Sequence, residues 1–292
     1  MVVIRHYLLV TQLNYVNLNR NRKTEEVDIR NKFREKIKEF QKLKLHEAIN
    51  WEKYNYMSVS HHSTAIEGSS LTESESQMLL DEGRTPKGKP LEHSVMEKDH
   101  YSALRFVAKE AKTKRKVTPE FIRSVSAKIM HGTGKEYNAM GGKFDSSKGE
   151  YRKLGVFAGD TSFPNYQKLE GMTQSICDEL EKKIDKVTTV TEIYDLAFNF
   201  HFDLVSIHPF ADGNGRVSRL MMNYILMYHG HTPAIINKQD RQEYIDSLKE
   251  SREIENTGPL KEFLYAQQIK HFDKQIEARR SGGKDIFLSM LV

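Results

Sequence analysis

The chain of 292 residues has a single cysteine, Cys177. No internal disulfide can form, so disulfide scaffolds and cysteine-rich zinc modules are excluded, and packing must hold the fold in what reads as the reducing cytoplasm. Prolines number only seven and glycines 17, so few segments are broken before a helix can form. No stretch approaches the roughly 20 apolar residues that a membrane-spanning helix requires, and no membrane partner is expected. Val2 to Leu13 comes nearest to a targeting segment, but Arg5 and His6 interrupt it and no small-residue cleavage site follows. It reads as a start-site extension or a first strand. Charge of one sign is also scarce: 45 basic against 40 acidic residues leave +5. The excess is spread over scattered lysines, so no nucleic-acid partner is expected. With 29% charged and 38% hydrophobic residues, the composition is that of a globular chain and not a disordered one.

Apolar positions recur at three- and four-residue spacing along most of the chain, which predicts a mostly α fold. A basic, asparagine-rich stretch at Asn17 to Arg30 leads into a charged helix expected over Ile29 to Asn50, its lysines forming a solvated face. Thr72 and Glu75 have capping-box spacing before an apolar run that Gly83 stops. A loop from Arg84 to Pro90 precedes a helix containing Val95 through Ala111. The glycine-crowded segment His131 to Phe163 predicts loop plus a short β-hairpin over Glu150 to Phe157. Further helices are expected over Tyr166 to Lys186, Glu192 to Ile207, Val217 to Tyr228, Arg241 to Ile254 and Phe263 to Arg280, followed by a Ser281-Gly282-Gly283 tail.

The chemistry concentrates in His208-Pro-Phe-Ala-Asp212-Gly213-Asn214-Gly215-Arg216-Val-Ser-Arg219. Pro209 disfavours helical geometry at the residue before it, so a helix should end near Ile207 and leave His208 at its mouth. There the macrodipole favours a protonated imidazole, a setting for a proton acceptor. Gly213 and Gly215 let backbone amides approach an anion just before the next helix, whose first turn adds free donors. Arg216 and Arg219, three apart on one face, can grip phosphate oxygens. Asp212 is a hard oxygen ligand suited to Mg²⁺ shared with phosphate. Together these groups specify phosphoryl or nucleotidyl transfer.

Simpler readings fail on the same residues. A bare Asn-Gly hairpin would need alternating flanks, and these flanks are helical in period. An EF-hand fails because Val217 stands at the obligatory glycine and Asn223 at the bidentate glutamate. A dinucleotide fingerprint lacks its third glycine and its preceding strand.

The run from His208 to Arg219 resembles, without a gap, the signature His-Pro-Phe-x-Asp-Gly-Asn-Gly-Arg-x-x-Arg of the Fic family. The resemblance extends over approximately residues 58 to 270, with Gly149-Glu-Tyr-Arg152 similar to the family's target-binding flap. It implies an all-α bundle with a short β-hairpin flap and an N-terminal helical extension. The implied units are an extension over 1–57, mostly helical, a Fic domain over 58–270 with an N-terminal inhibitory helix, and a C-terminal helix and tail over 271–292. The implied activity is transfer of AMP from ATP to a hydroxyl of a target protein, with Mg²⁺. His208 would be the base and Asp212 the metal ligand. Gly213, Asn214, Gly215, Arg216 and Arg219 would hold the nucleotide phosphates, and Tyr244 would lie near the adenine. Tyr151, Arg152, Lys153 and Val156 would form the flap, which binds a target strand by backbone pairing.

Ser63-Thr-Ala-Ile-Glu67-Gly68 resembles the family's inhibitory pattern, in which Ser63, Glu67 and Gly68 would act in cis, Glu67 pairing with Arg219 in place of the γ-phosphate. Removal of AMP by the same site and a non-catalytic nucleotide-binding regulatory role stay open beside transfer, as do self-modification and a homo-oligomer. His201 reads as a packed core histidine, and His61, His62, His229 and His231 as surface or capping residues. Met221, Met222 and Met227 read as core filling, and Cys177 as a helix-face residue with nothing to lower its thiol pKa.

Overall fold

The computed structural model describes residues 27–44, 51–159 and 161–280. Helix α1 covers 27–42 and is followed by α2 (Trp51–Ile66), α3 (Glu73–Glu82), α4 (Leu91–Lys112) and α5 (Pro119–Ile129). Strands β1 (Glu136–Ala139) and β2 (Gly142–Asp145) pair antiparallel, and so do β3 (Phe157–Ala158) and β4 (Thr161–Ser162). The chain continues through α6 (Leu169–Lys183), α7 (Val190–Ile207), α8 (Asn214–Tyr228), α9 (Arg241–Glu253) and α10 (Gly258–Arg280). The all-α expectation holds, with hairpins as the minor component.

Local chemistry sets the helix ends. Thr72 and Glu75 close a reciprocal capping box on α3, and Gly83 ends that helix at φ 72°. Thr189 and Glu192 form the same box on α7, and Thr118 caps α5 with Pro119 at its first position. Helix α8 is buried nearly all round, with Val217, Leu220, Met221, Met222 and Ile225 fully enclosed. A helix enclosed on every side lies at the centre of the core even though it carries Arg216 and Arg219, and α7, α4 and α5 pack against it. The loop joining α7 to α8 carries the signature, so this central pair positions the candidate site.

Several expectations are corrected. The expected boundaries at 57/58 and 270/271 fall inside α2 and α10. Phe33, Ile37 and Phe40 of α1 share one core cluster with Phe272 and Ile276 of α10. The first helix ends at residue 42 and not at Asn50. Residues 45–50, the segment Val2 to Leu13, most of Asn17 to Arg30 and the tail after Arg280 lie outside the described residues. His61 and His62 are 1% and 7% exposed, because the inner face of α2 is polar. His61 Nδ1 lies 3.0 Å from Ser76 Oγ, and His62 Nδ1 accepts from the Lys238 amide at 3.2 Å.

The hairpin expected over Glu150 to Phe157 lies elsewhere. Residues 150–156 form no strand, and pairing occurs instead over 136–145 and 157–162. Gly149, at φ 67°, is pressed so closely on α5 that a Cβ would collide with the Arg123 carbonyl. Arg152 then turns inward, its amide donating to Pro209 O at 3.0 Å. The segment is pinned to the signature loop and has no partner strand.

Candidate active site

Helix α7 ends at Ile207, and His208 follows in the left-handed region at φ 53°, ψ 57°. This matches the stop expected from Pro209. His208 Nδ1 lies 3.3 Å from Val205 O; a carbonyl only accepts, so Nδ1 donates and Nε2 is left as an acceptor. The ring stacks on Phe163, centroids 3.9 Å apart. The expected protonated imidazole is corrected. Burial pushes the His208 pKa down to about 4, with the charges of Arg152 and Arg252 acting in the same sense. Desolvation outweighs the helix dipole, so the ring is neutral at pH 7 and able to take a proton.

The loop after His208 is closed by Asn214. Its Oδ1 accepts from the Phe210 amide at 2.9 Å, and its Nδ2 donates to Phe210 O at 2.8 Å. The Asn214 side chain is therefore engaged within the loop, and only its backbone amide is free to face an anion. Gly213 sits at φ 79° against the Met130 sulfur, where a Cβ would be only 2.9 Å away. Helix α8 starts at Asn214 with no side-chain cap, so its first-turn amides face the site unpaired by side chains.

Two arginines crowd this helix start. Arg216 is 2% exposed; its Nη2 is 3.3 Å from Asp212 Oδ1, while its buried Nε and Nη1 have no partner. Asp212 leaves 59% of its side chain exposed. Among the described residues no three His, Cys, Asp or Glu side chains gather as a metal site. A lone exposed carboxylate fits a cation whose remaining ligands come from phosphate and water. Arg219 Nε donates to Ser63 Oγ at 3.0 Å, and its Nη2 reaches Ser63 O and Glu67 Oε1, both at 2.8 Å. Burial pulls the Arg219 pKa down, but the Glu67 charge and Tyr244 outweigh it and raise the value. At Gly215 a Cβ would collide with the Glu67 carboxylate. Gly68, at φ 103°, turns the chain directly after this contact.

Tyr244 and the flap residues take other places than expected. Tyr244 is 1% exposed, with its hydroxyl 2.9 Å from His201 Nε2 and its ring under the Arg219 guanidinium. No face is open to a base, and Tyr244 supports Arg219. Tyr151 packs on Phe210, the Arg152 guanidinium is buried, and Lys153 Nζ donates to Lys143 O at 2.7 Å. These three hold the base of the flap instead of offering an edge, and Val156 is half-buried. Beyond it Phe157 is 74% exposed. Phe163 over His208 and Met130 against Arg216 were not legible in the sequence. Neither sits at a periodic or motif position.

The Fic/DOC family profile matches residues 116–226, from the start of α5 into α8, and takes in every position of the signature. Residues 116–226 are thus a Fic/DOC domain. A protein adenylyltransferase Fic of Nematostella vectensis is 32% identical to it over 212 residues, which are 72% of this chain and 45% of that protein. Its counterpart in Drosophila willistoni is 30% identical over the same share of this chain and 39% of its own. The chain thus spans less than half the length of the curated relatives it matches. A Fic domain containing signaling protein of Bacteroides thetaiotaomicron superposes with a TM-score of 0.72 at 22% identity, covering 86% of this chain and 98% of that one. Fic-1 of C. elegans gives 0.71 at 20%, covering 87% and 74%. These structures share the Fic fold seen here. No helix among the described residues is long and apolar enough to cross a membrane.

Proposed function

We propose that this Fic domain transfers AMP from ATP to a hydroxyl side chain of a target protein, releasing pyrophosphate, and that Glu67 restrains it. The observation that carries the reading is the Glu67 carboxylate on Arg219 at the uncapped start of α8. An anion already rests where helix amides and guanidinium groups favour one. The relatives named protein adenylyltransferase support AMP transfer over other phosphoryl chemistry. The single buried cysteine fits a reducing compartment, and the cytoplasm is the proposed location.

In this reading neutral His208 takes the hydroxyl proton through Nε2 while the oxygen attacks the α-phosphorus in line and the bond to the bridging oxygen breaks. Asp212 would hold Mg²⁺, which neutralises phosphate charge when bound. Arg216 would meet the β-phosphate side with its unpartnered Nε and Nη1, and Arg219 the γ-phosphate once Glu67 withdraws. The test is incubation with ATP labelled at the α- or the γ-phosphate. Protein label from the α-position alone is expected. Label from the γ-position overturns the reading, and ATP binding without any label, even after Glu67→Gly, points to a regulatory nucleotide-binding role.

A second reading has one observation in its favour: Glu67 keeps 32% of its side chain exposed beside the enclosed Arg219. A carboxylate open to water at this site would activate it for removal of AMP from a modified protein. Loss of AMP release in Glu67→Gly, with no gain in transfer, selects this reading.

A further inference from the structure

Arg152 is a charged residue that the proposed reaction leaves without a role. Its side chain is 1% exposed, and among the described residues no carboxylate pairs with it. A buried charge in that position must be satisfied by hydrogen bonds. The guanidinium donates to three main-chain carbonyls: Nε to His208 O at 2.8 Å, Nη1 to Leu154 O at 2.7 Å and Nη2 to Pro164 O at 2.7 Å. The Arg152 amide adds a bond to Pro209 O at 3.0 Å. Leu154 and Pro164 stand at the two ends of the segment that carries β3 and β4. The other two carbonyls belong to the turn that presents His208.

His208 is a non-glycine residue at φ 53°. Such a conformation persists only where the surroundings over-determine it, and Arg152 binds the carbonyls of both peptide groups around Pro209. The same fork holds Pro164, directly after Phe163, whose ring stacks on the His208 imidazole at 3.9 Å. One planar group therefore fixes the backbone of His208 and delivers the aromatic cover of its ring. Lysine could reach one carbonyl but not three in different directions.

We propose that Arg152 is a positioning residue that locks the His208 turn and the base of the β3–β4 flap into one unit, so that imidazole and target-facing edge keep a fixed mutual placement. Its effect on rate rests on the transferase reading, because small misplacements of a reacting group cost rate without costing ligand binding. Its structural part does not rest on that reading.

The test uses the full chain carrying Glu67→Gly, with Arg152→Met, Arg152→Lys or Phe163→Leu added. Four quantities are read: melting, the dissociation constant for ATP with Mg²⁺, automodification from α-labelled ATP, and the His208 titration by NMR. Arg152→Met is expected to lower automodification about 10²-fold and to change ATP affinity less than about twofold, since no phosphate-binding group is touched. The His208 midpoint should move up from about 4 as Phe163 withdraws and water reaches the ring. Phe163→Leu should reproduce the upward midpoint, and Arg152→Lys should fall between. A folded Arg152→Met with an unchanged His208 midpoint, or a parallel loss of ATP binding and automodification, overturns the proposal. Should Arg152→Met fail to fold, Arg152→Lys decides, and a wild-type midpoint and rate in that variant overturn it. Shifted midpoints in chains that never incorporate label would refute the transferase reading and leave the lock standing.

Discussion

Glu67 Oε1 lies 2.8 Å from Arg219 Nη2, across 152 residues of sequence, with the carboxylate resting against Gly215. The guanidinium is nearly enclosed, at 5% side-chain exposure, whereas Glu67 retains 32%. One fork thus holds a carboxylate where the site is otherwise suited to a phosphate. The helix bearing Ser63 contributes two further acceptors, so three hydrogen bonds hold Arg219 to this side of the molecule.

Glu67→Gly should raise automodification roughly tenfold or more. An intramolecular carboxylate competes at an effective concentration in the millimolar range or above, and its removal frees Arg219 for the nucleotide. Incorporation from α-labelled ATP measures this. A rate equal to or below wild type would reduce the contact to a structural salt bridge.

His208→Ala should lower transfer by about 10²–10⁴-fold while nucleotide binding and melting stay near wild type. Because burial holds the His208 pKa at about 4, the base is unprotonated throughout the neutral range. Between pH 8 and pH 6 the rate in the Glu67→Gly background should not fall as it would for a base titrating near 6.5. A pH–rate profile with a midpoint near 6.5 would contradict this placement.

Asp212→Ala should change melting little, since the side chain is largely exposed and loses an ion pair to Arg216 and the local hydrogen bond it accepts from the Gly213 amide. It should shift the Mg²⁺ requirement of automodification to higher concentration, and chelation should abolish incorporation in the parent. Titration of Mg²⁺ in both proteins checks the assignment; identical curves would remove Asp212 from it.

Glu97→Gln probes how α2 is held. Glu97 is fully buried on α4, and Thr64 Oγ1 donates to its Oε2 at 2.5 Å. Burial pushes the carboxyl up to about 7, against the pull of the Thr64 and Ser76 hydroxyls. The folded chain binds this proton more tightly than the unfolded one. The contribution is therefore full below about 4.5 and lost as pH rises through about 7. It is worth at most on the order of 3 kcal/mol. The Tm of Glu97→Gln relative to wild type should climb from pH 5 to pH 8, because glutamine stays neutral. A difference that is constant with pH would place the charge change elsewhere.

The sequence by itself determined what short-range chemistry controls. Pro209 stops α7 and leaves His208 at its mouth. Thr72 with Glu75 begins α3 at the expected residue, and the glycine-rich turn before α8 places unpaired amides beside Arg216 and Arg219. The partnership of Glu67 with Arg219 was legible through family resemblance, since no local rule connects residues so far apart. Tertiary structure alone decided the rest. Whether His208 is charged depends on Phe163 and the surrounding burial, and desolvation there defeats a dipole that the helix end predicts. Whether Arg152 meets solvent or three carbonyls depends on where the 154–164 segment and the His208 turn come together. His61 and His62 lie inside because neighbours from other segments, Ser76 and Lys238 among them, close over them. Periodicity marks which face of an element is apolar. The dielectric around a polar group and the partner that satisfies it are set only when elements remote in the chain are packed together.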